Sequence, residues 1–336
     1  MAGKILFLSR EDIERVLTPK DCLNRCHETF EWVGRGQVDQ VSPFSFWVSP
    51  PDGIYGAGFV QSYPAYVKPL HRAGVKWLGG YTGNRDRGLP IINAVNILTD
   101  VDTSLPLAVL DGTYITSMRT GGHSTVGAKY LARENSRVLS IIGCGTQGYS
   151  HWLHMNELFD LEVVKIFDVM EEAQERFRSQ MREKYDVEIV TCTTVQEAVQ
   201  GADIVCLVTS ARQTVLWEEW VEPGCYVCAI SGYLDLDPNC ALRFDKWVLG
   251  YYERDFEWID GPEVGKNSPD VFPYTRNDVY ADLATEIVQG KRTGRENDSE
   301  RIVLTHHGMP ALDIAVAALV YERAKEAGVG NYLRLF

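Results

Sequence analysis

Residues 137–148 read RVLSIIGCGTQG and decide the fold of the middle of the chain. An apolar run rich in Val, Leu and Ile, typical of a buried strand, leads into glycines spaced GxGxxG, and a helical pattern follows at once. In that setting the first glycine permits a tight turn, the second lets the backbone approach a pyrophosphate, and the third lets helix and strand pack closely. The N–H groups at the helix N-terminus favour phosphate. The motif predicts a dinucleotide site contacted by Gly143, Gly145, Thr146, Gln147 and Gly148.

The strand after this motif, VVKIFD, ends in Asp168, twenty residues after Gly148. A carboxylate there can accept hydrogen bonds from the ribose hydroxyls and would repel the 2′-phosphate of NADP. No arginine follows in residues 169–172, so NAD is the predicted cofactor. Thr209 ends the fourth strand-like run and is expected near the adenosine half, because ligands bind at the carboxyl ends of such strands. The alternative is a glycine-rich turn without a ligand, with Asp168 as an ordinary strand-end carboxylate.

The sequence around the motif predicts an α/β protein of two domains. Strand-like runs alternate with helical patterns through the middle of the chain, which indicates a parallel sheet with crossover helices. We therefore predict a Rossmann dinucleotide-binding domain at residues 119–305. Residues 1–118 mix strands and helices without a repeating unit, and residues 310–327 have the pattern of a strong amphipathic helix. We expect residues 1–118 and 306–336 to form a second, α+β domain.

Composition excludes several classes of function. The 336 residues include 33 Lys+Arg and 46 Asp+Glu, a net charge of −13, so nucleic acid is not an expected partner. No apolar run approaches the ~20 residues of a membrane span, and MAGKILFLSREDIE does not fit a cleavable signal, so we expect a cytoplasmic protein without a membrane partner. Eight scattered cysteines are typical of buried thiols. His151 and His154 have no evident third ligand, so no metal site is predicted.

Five segments together resemble the ornithine cyclodeaminase/mu-crystallin family, and the likeness spans nearly the whole chain. They are GVKWLGGY at 74–81, INAVNILTDVDTSLPLAVLDGTYIT at 92–116, SMRTGGHSTVGAKYLA at 117–132, IIGCGTQG at 141–148 and ALDIAVAALVYERA at 311–324. A narrower likeness rests on ILFLSREDIE, GVKWLGG, SMRT, IIGCG and the ending AGVGNYLRLF. This narrower likeness is to the branch of the family that acts in siderophore pathways and releases 2,3-diaminopropionate.

The resemblance implies hydride transfer at an amine-bearing carbon and a homodimer. It assigns substrate binding and dimerisation to residues 1–118 with 306–336. The family's substrate cations fall on Lys76 and Arg119, and its catalytic aspartate falls on Asp235. Asp237 remains an alternative, because the alignment slips there. The backbone of Gly308 is expected near the nicotinamide.

Two departures from the family pattern concern substrate recognition. Many relatives carry a second arginine near residues 43–49, where this sequence has no cation. RTGGHS also places His123 where relatives have small residues, in what we expect to be the first turn of a helix. Two roles stay open for His123, binding of a substrate carboxylate or the pyrophosphate, and a structural one.

These residue types suit oxidation of an amino acid. The planar fork of Arg119 matches a carboxylate, Lys76 can bind the carboxylate or polarise water, and Asp235 can transfer protons. The favoured hypothesis is NAD-dependent oxidation of an N-substituted, opine-like amino acid followed by imine hydrolysis, with 2,3-diaminopropionate and 2-oxoglutarate as products. The alternatives are an ornithine- or lysine-type cyclodeaminase, a cyclic ketimine reductase, and a nucleotide- or ligand-binding protein with little catalysis. Taken singly, the same residues fit an ordinary ion-pair partner, a snorkelling lysine and a turn-forming aspartate.

Overall fold

The computed structural model describes residues 3–48, 58–211, 213–230, 235–255 and 274–334. The chain divides into two compact units. The first unit consists of Met1–Arg119 and Met309–Phe336, and the second of Thr120–Gly308. No helix among the described residues is long and apolar enough to cross a membrane. The eight cysteines are all buried and form no disulfide, as expected of thiols that act as small apolar side chains.

The first unit is built on an eight-stranded sheet in the order β16-β1-β7-β6-β5-β4-β2, with β3 also paired to β4. Only the β1–β7 pair is parallel; the other pairs are antiparallel. Burial alternates along β4 and β6, so one face of the sheet is covered. The strands are β1 (Lys4–Leu8), β2 (Val38–Gln40), β3 (Phe44–Val48), β4 (Gly58–Val67), β5 (Arg72–Gly80), β6 (Ile92–Asp100), β7 (Pro106–Asp111) and β16 (Asn331–Arg334).

Among the described residues, three α-helices lie wholly in the first unit: α1 (Arg10–Glu14), α2 (Pro19–Gly34) and α9 (Pro310–Ala327). Ser9 caps α1 with a capping box, and Thr18 caps α2. Helix α9 packs against β4, β5, β6 and α2. The prediction of an amphipathic α9 is wrong for its first half, because every residue from Pro310 to Ala318 is buried. A helix buried on all sides is apolar all round.

The second unit holds an eight-stranded sheet in the order β10-β9-β8-β11-β12-β15-β13-β14, and every pair in it is parallel. The first five strands follow the doubly wound order, with its reversal between β8 and β11. This architecture confirms the predicted α/β fold class. The strands are β8 (Val138–Ile142), β9 (Val163–Phe167), β10 (Glu188–Thr191), β11 (Ile204–Leu207), β12 (Tyr226–Ala229), β13 (Lys246–Leu249), β14 (Ala281–Asp282) and β15 (Ile302–Thr305).

Crossover helices α4, α5 and α6 join the first strands of this sheet. The α-helices that lie wholly in the described part of this unit are α4 (Thr146–Leu158), α5 (Glu171–Arg182), α6 (Val195–Val199), α7 (Pro238–Arg243) and α8 (Tyr252–Asp255). The run DLATEIVQGK forms only a single π-helical turn, Leu283–Ile287. Val205, Val227 and Val303 belong to one buried apolar cluster. Every residue of β11, β12 and β15 is buried, so both faces of these strands are covered.

Helix α3 (Gly112–Leu131) carries the chain from the first unit into the second. The prediction that His123 lies in the first turn of a helix is wrong, because α3 begins eleven residues earlier at Gly112. Gly121 and Gly127 lie inside α3, where neighbouring side chains approach the helix backbone closely, and neither residue ends the helix. A Cβ on Gly121 would lie 2.6 Å from Ser150 Oγ, and one on Gly127 would lie 2.4 Å from a methyl group of Leu304.

Candidate active site

The glycine loop joins β8 to α4 beside the reversal in strand order. Gly143 has a φ of 107°, which favours glycine, and a Cβ there would lie 2.8 Å from the carbonyl oxygen of Val208. A Cβ on Gly148 would lie 2.3 Å from the carbonyl oxygen of Gly143. A Cβ on Gly145, in contrast, meets nothing within 4 Å, so open space borders the backbone at the start of α4. This loop fits a dinucleotide pyrophosphate, because the N-terminus of α4 at Thr146 and Gln147 borders that space and helix N-termini favour phosphate.

Asp168 is fixed beside this loop at the end of β9. Its Oδ2 accepts the N–H of Cys144 at 2.8 Å and its Oδ1 accepts the N–H of Met170 at 2.9 Å. The carboxylate is half-buried, as a group that binds ribose hydroxyls needs to be. Burial and, to a lesser extent, the charge of Asp168 raise the pKa of the Cys144 thiol to about 12, so this loop cysteine stays neutral.

Thr209 and Asp235 meet at the carboxyl end of β11. The hydroxyl of Thr209 donates to Asp235 Oδ2 at 2.6 Å, and the carbonyl oxygen of Asp235 accepts the N–H of Val215 at 2.8 Å. Asp235 is fully buried. The structure thus brings together one residue predicted to bind the cofactor and one predicted to transfer protons.

Asp237 has a different local role. Its Oδ1 accepts the N–H of Asn239 and caps α7, and its Oδ2 accepts the N–H of Glu218 at 3.0 Å. Both carboxylate oxygens therefore satisfy backbone donors, as in many helix caps. Of the two aspartates, Asp235 is the better candidate for acid–base chemistry.

Gly308 ends the second unit, just after β15. Its φ of 81° lies in the left-handed region, where a side chain would be strained. The N–H of His306 donates to the carbonyl oxygen of Ala229, which extends the ladder between β15 and β12 to this point. Gly308 therefore lies at the carboxyl end of the sheet, the end at which open α/β sheets bind ligands.

The two predicted substrate cations share one carboxylate in the first unit. Lys76 Nζ on β5 lies 2.8 Å from Asp313 Oδ2, and Arg119 Nε on α3 lies 2.9 Å from Asp313 Oδ1. Lys76 and Asp313 have no exposed surface, and Arg119 is 4% exposed. Two cations and one anion leave the cluster with one formal positive charge in excess.

An aromatic ring and a chain of polar side chains fix the position of Lys76. Its Nζ lies 4.0 Å from the centroid of the Tyr63 ring, within cation–π range. The Tyr63 hydroxyl donates to Gln61 Oε1 at 2.8 Å, and Gln61 Nε2 donates to Ser45 Oγ at 2.9 Å. The ammonium group is therefore held against both an aromatic face and a carboxylate.

Asp313 is a functional candidate that sequence reasoning did not single out. The sequence placed it inside the apolar run ALDIAVAALV, where a lone carboxylate near a helix start is commonly a surface group. One sequence feature could have identified Asp313. The first half of this helix, PALDIAVAA, has no other polar residue, so it has no solvent-facing side to which a surface carboxylate could belong. Where relatives carry a second arginine, the first departure from the family pattern, β3 is exposed along its whole length and carries no cation.

His123 lies in the interior of the second unit, in the middle of α3. It is fully buried, and its ring stacks on that of His306 with centroids 3.7 Å apart. A Cβ on Gly250 would lie 2.4 Å from its Nε2, so the backbone closes over this ring. Tight packing on two sides favours the structural role that the sequence left open.

A chain of hydrogen bonds runs from the glycine loop to the end of β15. His151 Nδ1 lies 2.7 Å from the carbonyl oxygen of Gln147, and Ser124 Oγ lies 2.7 Å from His151 Nε2 and 2.8 Å from His306 Nε2. A carbonyl only accepts, so His151 Nδ1 carries the proton and its Nε2 accepts the Ser124 hydroxyl. Burial lowers the pKa of His151 to about 4, which keeps this ring neutral.

Comparison with known proteins agrees with this geometry. The model of the ornithine cyclodeaminase/mu-crystallin family matches residues 4–328. The chain belongs to this family. The alanine dehydrogenase of Archaeoglobus fulgidus is 32% identical to it, over 98% of each chain. The N-((2S)-2-amino-2-carboxyethyl)-L-glutamate dehydrogenase of Staphylococcus aureus is 27% identical over the full length of both, so the narrower likeness seen in the sequence is among the relatives.

Solved structures of two family members superpose on almost the whole chain. The Δ1-pyrroline-2-carboxylate reductase of Thermococcus litoralis, in complex with NADH and L-proline, has a TM-score of 0.87 at 29% identity, covering 97% of this chain and 99% of that one. An archaeal alanine dehydrogenase dimer with bound NAD has a TM-score of 0.85 at 31% identity, covering 99% and 100%. These relatives are dehydrogenases and reductases, and the two solved structures hold NADH or NAD. The comparisons therefore confirm the predictions of an enzyme and of NAD as its coenzyme.

Proposed function

We propose that this chain is an NAD-dependent oxidoreductase that acts on the C–N bond of an amino acid or an N-substituted amino acid. In this proposal Lys76 and Arg119 bind the substrate carboxylate. The glycine loop and Asp168 bind NAD, with Thr209 and the backbone of Gly308 as further contacts, and Asp235 transfers protons. The named activities of the relatives support the reaction class.

The buried cluster of Lys76, Arg119 and Asp313 carries the proposal. A net charge is expensive to bury, and the net formal charge of +1 that Lys76, Arg119 and Asp313 carry together favours an anionic ligand. The guanidinium of Arg119 uses only its Nε toward Asp313 in the described contacts, and its planar fork suits a carboxylate. A single α-carboxylate would bring the formal charge of the cluster to zero.

The loop geometry supports NAD as the coenzyme. A side chain at Gly143 or Gly148 would clash with backbone atoms of the protein. A side chain at Gly145 would meet no protein atom within 4 Å, so the space beside Gly145 is open to a ligand. When bound, NAD supplies a hydride acceptor. Asp235 is buried and hydrogen-bonded by the Thr209 hydroxyl, and in this proposal it accepts a proton from the substrate amine or from water.

The atoms and electrons of the proposed reaction balance in two steps. A secondary amine loses a hydride from Cα to NAD and a proton from nitrogen, and the carbon–nitrogen double bond of an imine forms. Water then adds to the imine carbon, and the carbon–nitrogen bond breaks to give a primary amine and a 2-oxo acid. With an opine-like conjugate of 2,3-diaminopropionate and glutamate, the favoured substrate, the products are 2,3-diaminopropionate and 2-oxoglutarate. The relative from Staphylococcus aureus supports this choice.

Cyclic ketimine reduction is the second candidate. The observation that favours it is the likeness to a pyrroline-2-carboxylate reductase solved with NADH and L-proline, a cyclic amino acid. The same cations would bind the carboxylate, and the transfer of hydride would run toward the imine carbon. A cyclodeaminase would use the same cluster with the substrate's own side-chain amine as the nucleophile.

A homodimer is part of the proposal. The open face of the first unit's sheet exposes large apolar side chains, among them Phe46, Trp77, Val95 and Ile97, which are 36–50% exposed. Trp77 and Val95 are direct cross-strand partners, and the Phe46 and Trp77 rings lie 6.3 Å apart, so these residues form one patch. Such a patch is typical of an interaction surface, and the dimeric archaeal relative supports a second copy as its occupant.

Turnover of the purified protein tests the proposal. The protein is mixed with NAD and alanine, ornithine, proline or the diaminopropionate–glutamate conjugate, while NADH absorbance and ammonia are followed. NADH formed in proportion to the conjugate consumed, without ammonia, supports the favoured reaction. NADH oxidation with a cyclic ketimine supports the second candidate, and ammonia without net NADH supports a cyclodeaminase. Tight NADH binding without any turnover would contradict the proposal and leave a ligand-binding protein.

A further inference from the structure

Asn96 lies beside the cation cluster, on the same face of the sheet. In the antiparallel register Lys76 pairs with Asn96 on β6 and with Tyr63 on β4, so the three residues form one row across three strands. Side chains directly opposite one another in such pairs point to the same face, with Cβ atoms about 5 Å apart. All three are buried, at 5% exposure or less.

The side chain of Asn96 has no hydrogen-bond partner among the described residues. Both Oδ1 and Nδ2 are shielded from solvent, and the residue has no exposed surface. A buried amide that forms no hydrogen bond costs free energy, so folded proteins rarely keep one without a reason. The exposed Asn93 of the same strand, in contrast, donates its amide to the carbonyl oxygen of Pro90.

We propose that Asn96 is a substrate-recognition residue of this site, an inference that rests on the proposed function. An amide offers one donor and one acceptor side by side. An α-amino acid offers a carboxylate acceptor and an N–H donor on adjacent groups. Asn96 Nδ2 donates to the carboxylate that Lys76 and Arg119 bind, and Asn96 Oδ1 accepts from the N–H of the substrate.

This role makes Asn96 a determinant of substrate class. The two cations select for negative charge, which any carboxylic acid supplies. The amide also requires a hydrogen-bond donor on the substrate atom that is bonded to Cα, the carbon that carries the carboxylate. A site that hydrogen-bonds such a group discriminates strongly against analogues that lack it, because its own buried polar atoms are then left unpaired. Acids without this donor are therefore expected to inhibit weakly.

The isosteric variant Asn96→Leu tests the inference, with Asn93→Ala on the opposite face of the same strand as its control. We expect Asn96→Leu to raise KM for the amino acid at least tenfold, to leave the Kd for NADH unchanged, and to unfold at the same or a higher urea concentration than the wild type. If Asn96 were structural, Asn96→Leu would unfold at a lower urea concentration than the wild type, because the substitution would remove native hydrogen bonds. Asn93→Ala should keep the wild-type KM.

A second variant and the wild type separate the possible failures. Asn96→Asp keeps the shape but places a negative charge opposite Lys76, so it should raise KM further by competing for the cation. An unchanged KM in both variants, or a lower urea midpoint for Asn96→Leu, would overturn the role of Asn96. A wild type that shows no NADH formation with any amino acid would instead contradict the proposed function, and the urea comparison would still decide whether Asn96 is structural.

Discussion

Asp313 shows how a single residue can organise a site that its own sequence context conceals. Lys76 and Arg119 could be named from the sequence because they lie in segments with a family resemblance. Their common partner could not, because Asp313 lies 194 residues from Arg119 and inside an apolar helix. Only the packing of α9 on β5 brings the three together. Local patterns carry no information on such long-range pairing.

The two aspartates that the sequence could not separate differ in what they bind. Asp235→Asn removes the proton acceptor and should lower kcat by about 10²- to 10⁴-fold, the usual contribution of a general acid–base. Asp237→Asn should keep near-wild-type kcat, because Asp237 caps α7 and accepts the N–H of Glu218. The amide retains only one of the two acceptor oxygens, so stability should fall by about 1–3 kcal/mol. Steady-state kinetics and urea unfolding of the pair check this. Equal losses of kcat in both variants would contradict the assignment.

The glycine loop is the element that the sequence predicted best. One local structure is specified by three glycines between a strand and a helix. In the observed loop a side chain at Gly143 or Gly148 would clash, and one at Gly145 would fill open space. Helix α3 was predicted less well. Gly121 and Gly127 look like helix breakers, but they serve close packing, and only the tertiary structure reveals that use.

Gly145→Ala tests the loop as a phosphate-binding element. The backbone at Gly145, with φ −83° and ψ −162°, accepts alanine, and the added Cβ meets no atom, so stability should stay within about 0.5 kcal/mol of the wild type. The methyl group would occupy space that a pyrophosphate needs, and the Kd for NADH should rise at least tenfold. NADH fluorescence titration measures this. Gly79→Ala, whose Cβ makes only an ordinary 3.7 Å contact, serves as the control and should bind NADH normally.

For the loop, unchanged NADH binding by Gly145→Ala would mean that the dinucleotide does not lie along it. A fall in stability without any change in affinity would have the same meaning, because it would assign Gly145 to packing alone.

At the scale of the whole molecule, buried histidines link stability to pH. Burial lowers the pKa of His151 and of His154 to about 4, below the ordinary value of 6.5. The unfolded chain therefore binds more protons than the folded one between pH 6.5 and 4, and stability falls as pH decreases through that window. The loss from pH 7 to pH 5 is about 2 kcal/mol for each histidine.

Asp282 opposes this trend. Burial raises its pKa to about 6, so its folded form binds the extra proton and gains stability as pH falls toward 4. The net dependence of the unfolding free energy on pH is therefore the difference between the histidine contribution and the Asp282 contribution. A single variant isolates one of them. His154→Gln should flatten the fall in unfolding free energy between pH 7 and 5 by about 2 kcal/mol. Urea titrations at the two pH values measure it, with the surface variant His71→Asn as control.

For the pH curve, a slope in His154→Gln that matches the wild type would show that His154 does not titrate with the depressed pKa. A changed slope in His71→Asn would show that surface histidines contribute, and the assignment to the buried pair would then fail.

The most direct test of the central claim is the kinetic behaviour of Lys76→Met beside its affinity for NADH. The claim is that the first unit binds the amino-acid carboxylate through a buried cation pair while the second binds NAD. The variant should therefore lose kcat/KM for the amino acid by on the order of 100-fold or more, while its Kd for NADH stays within about twofold of the wild type. A Lys76→Met enzyme that oxidises its amino acid at a near-wild-type rate would contradict the account.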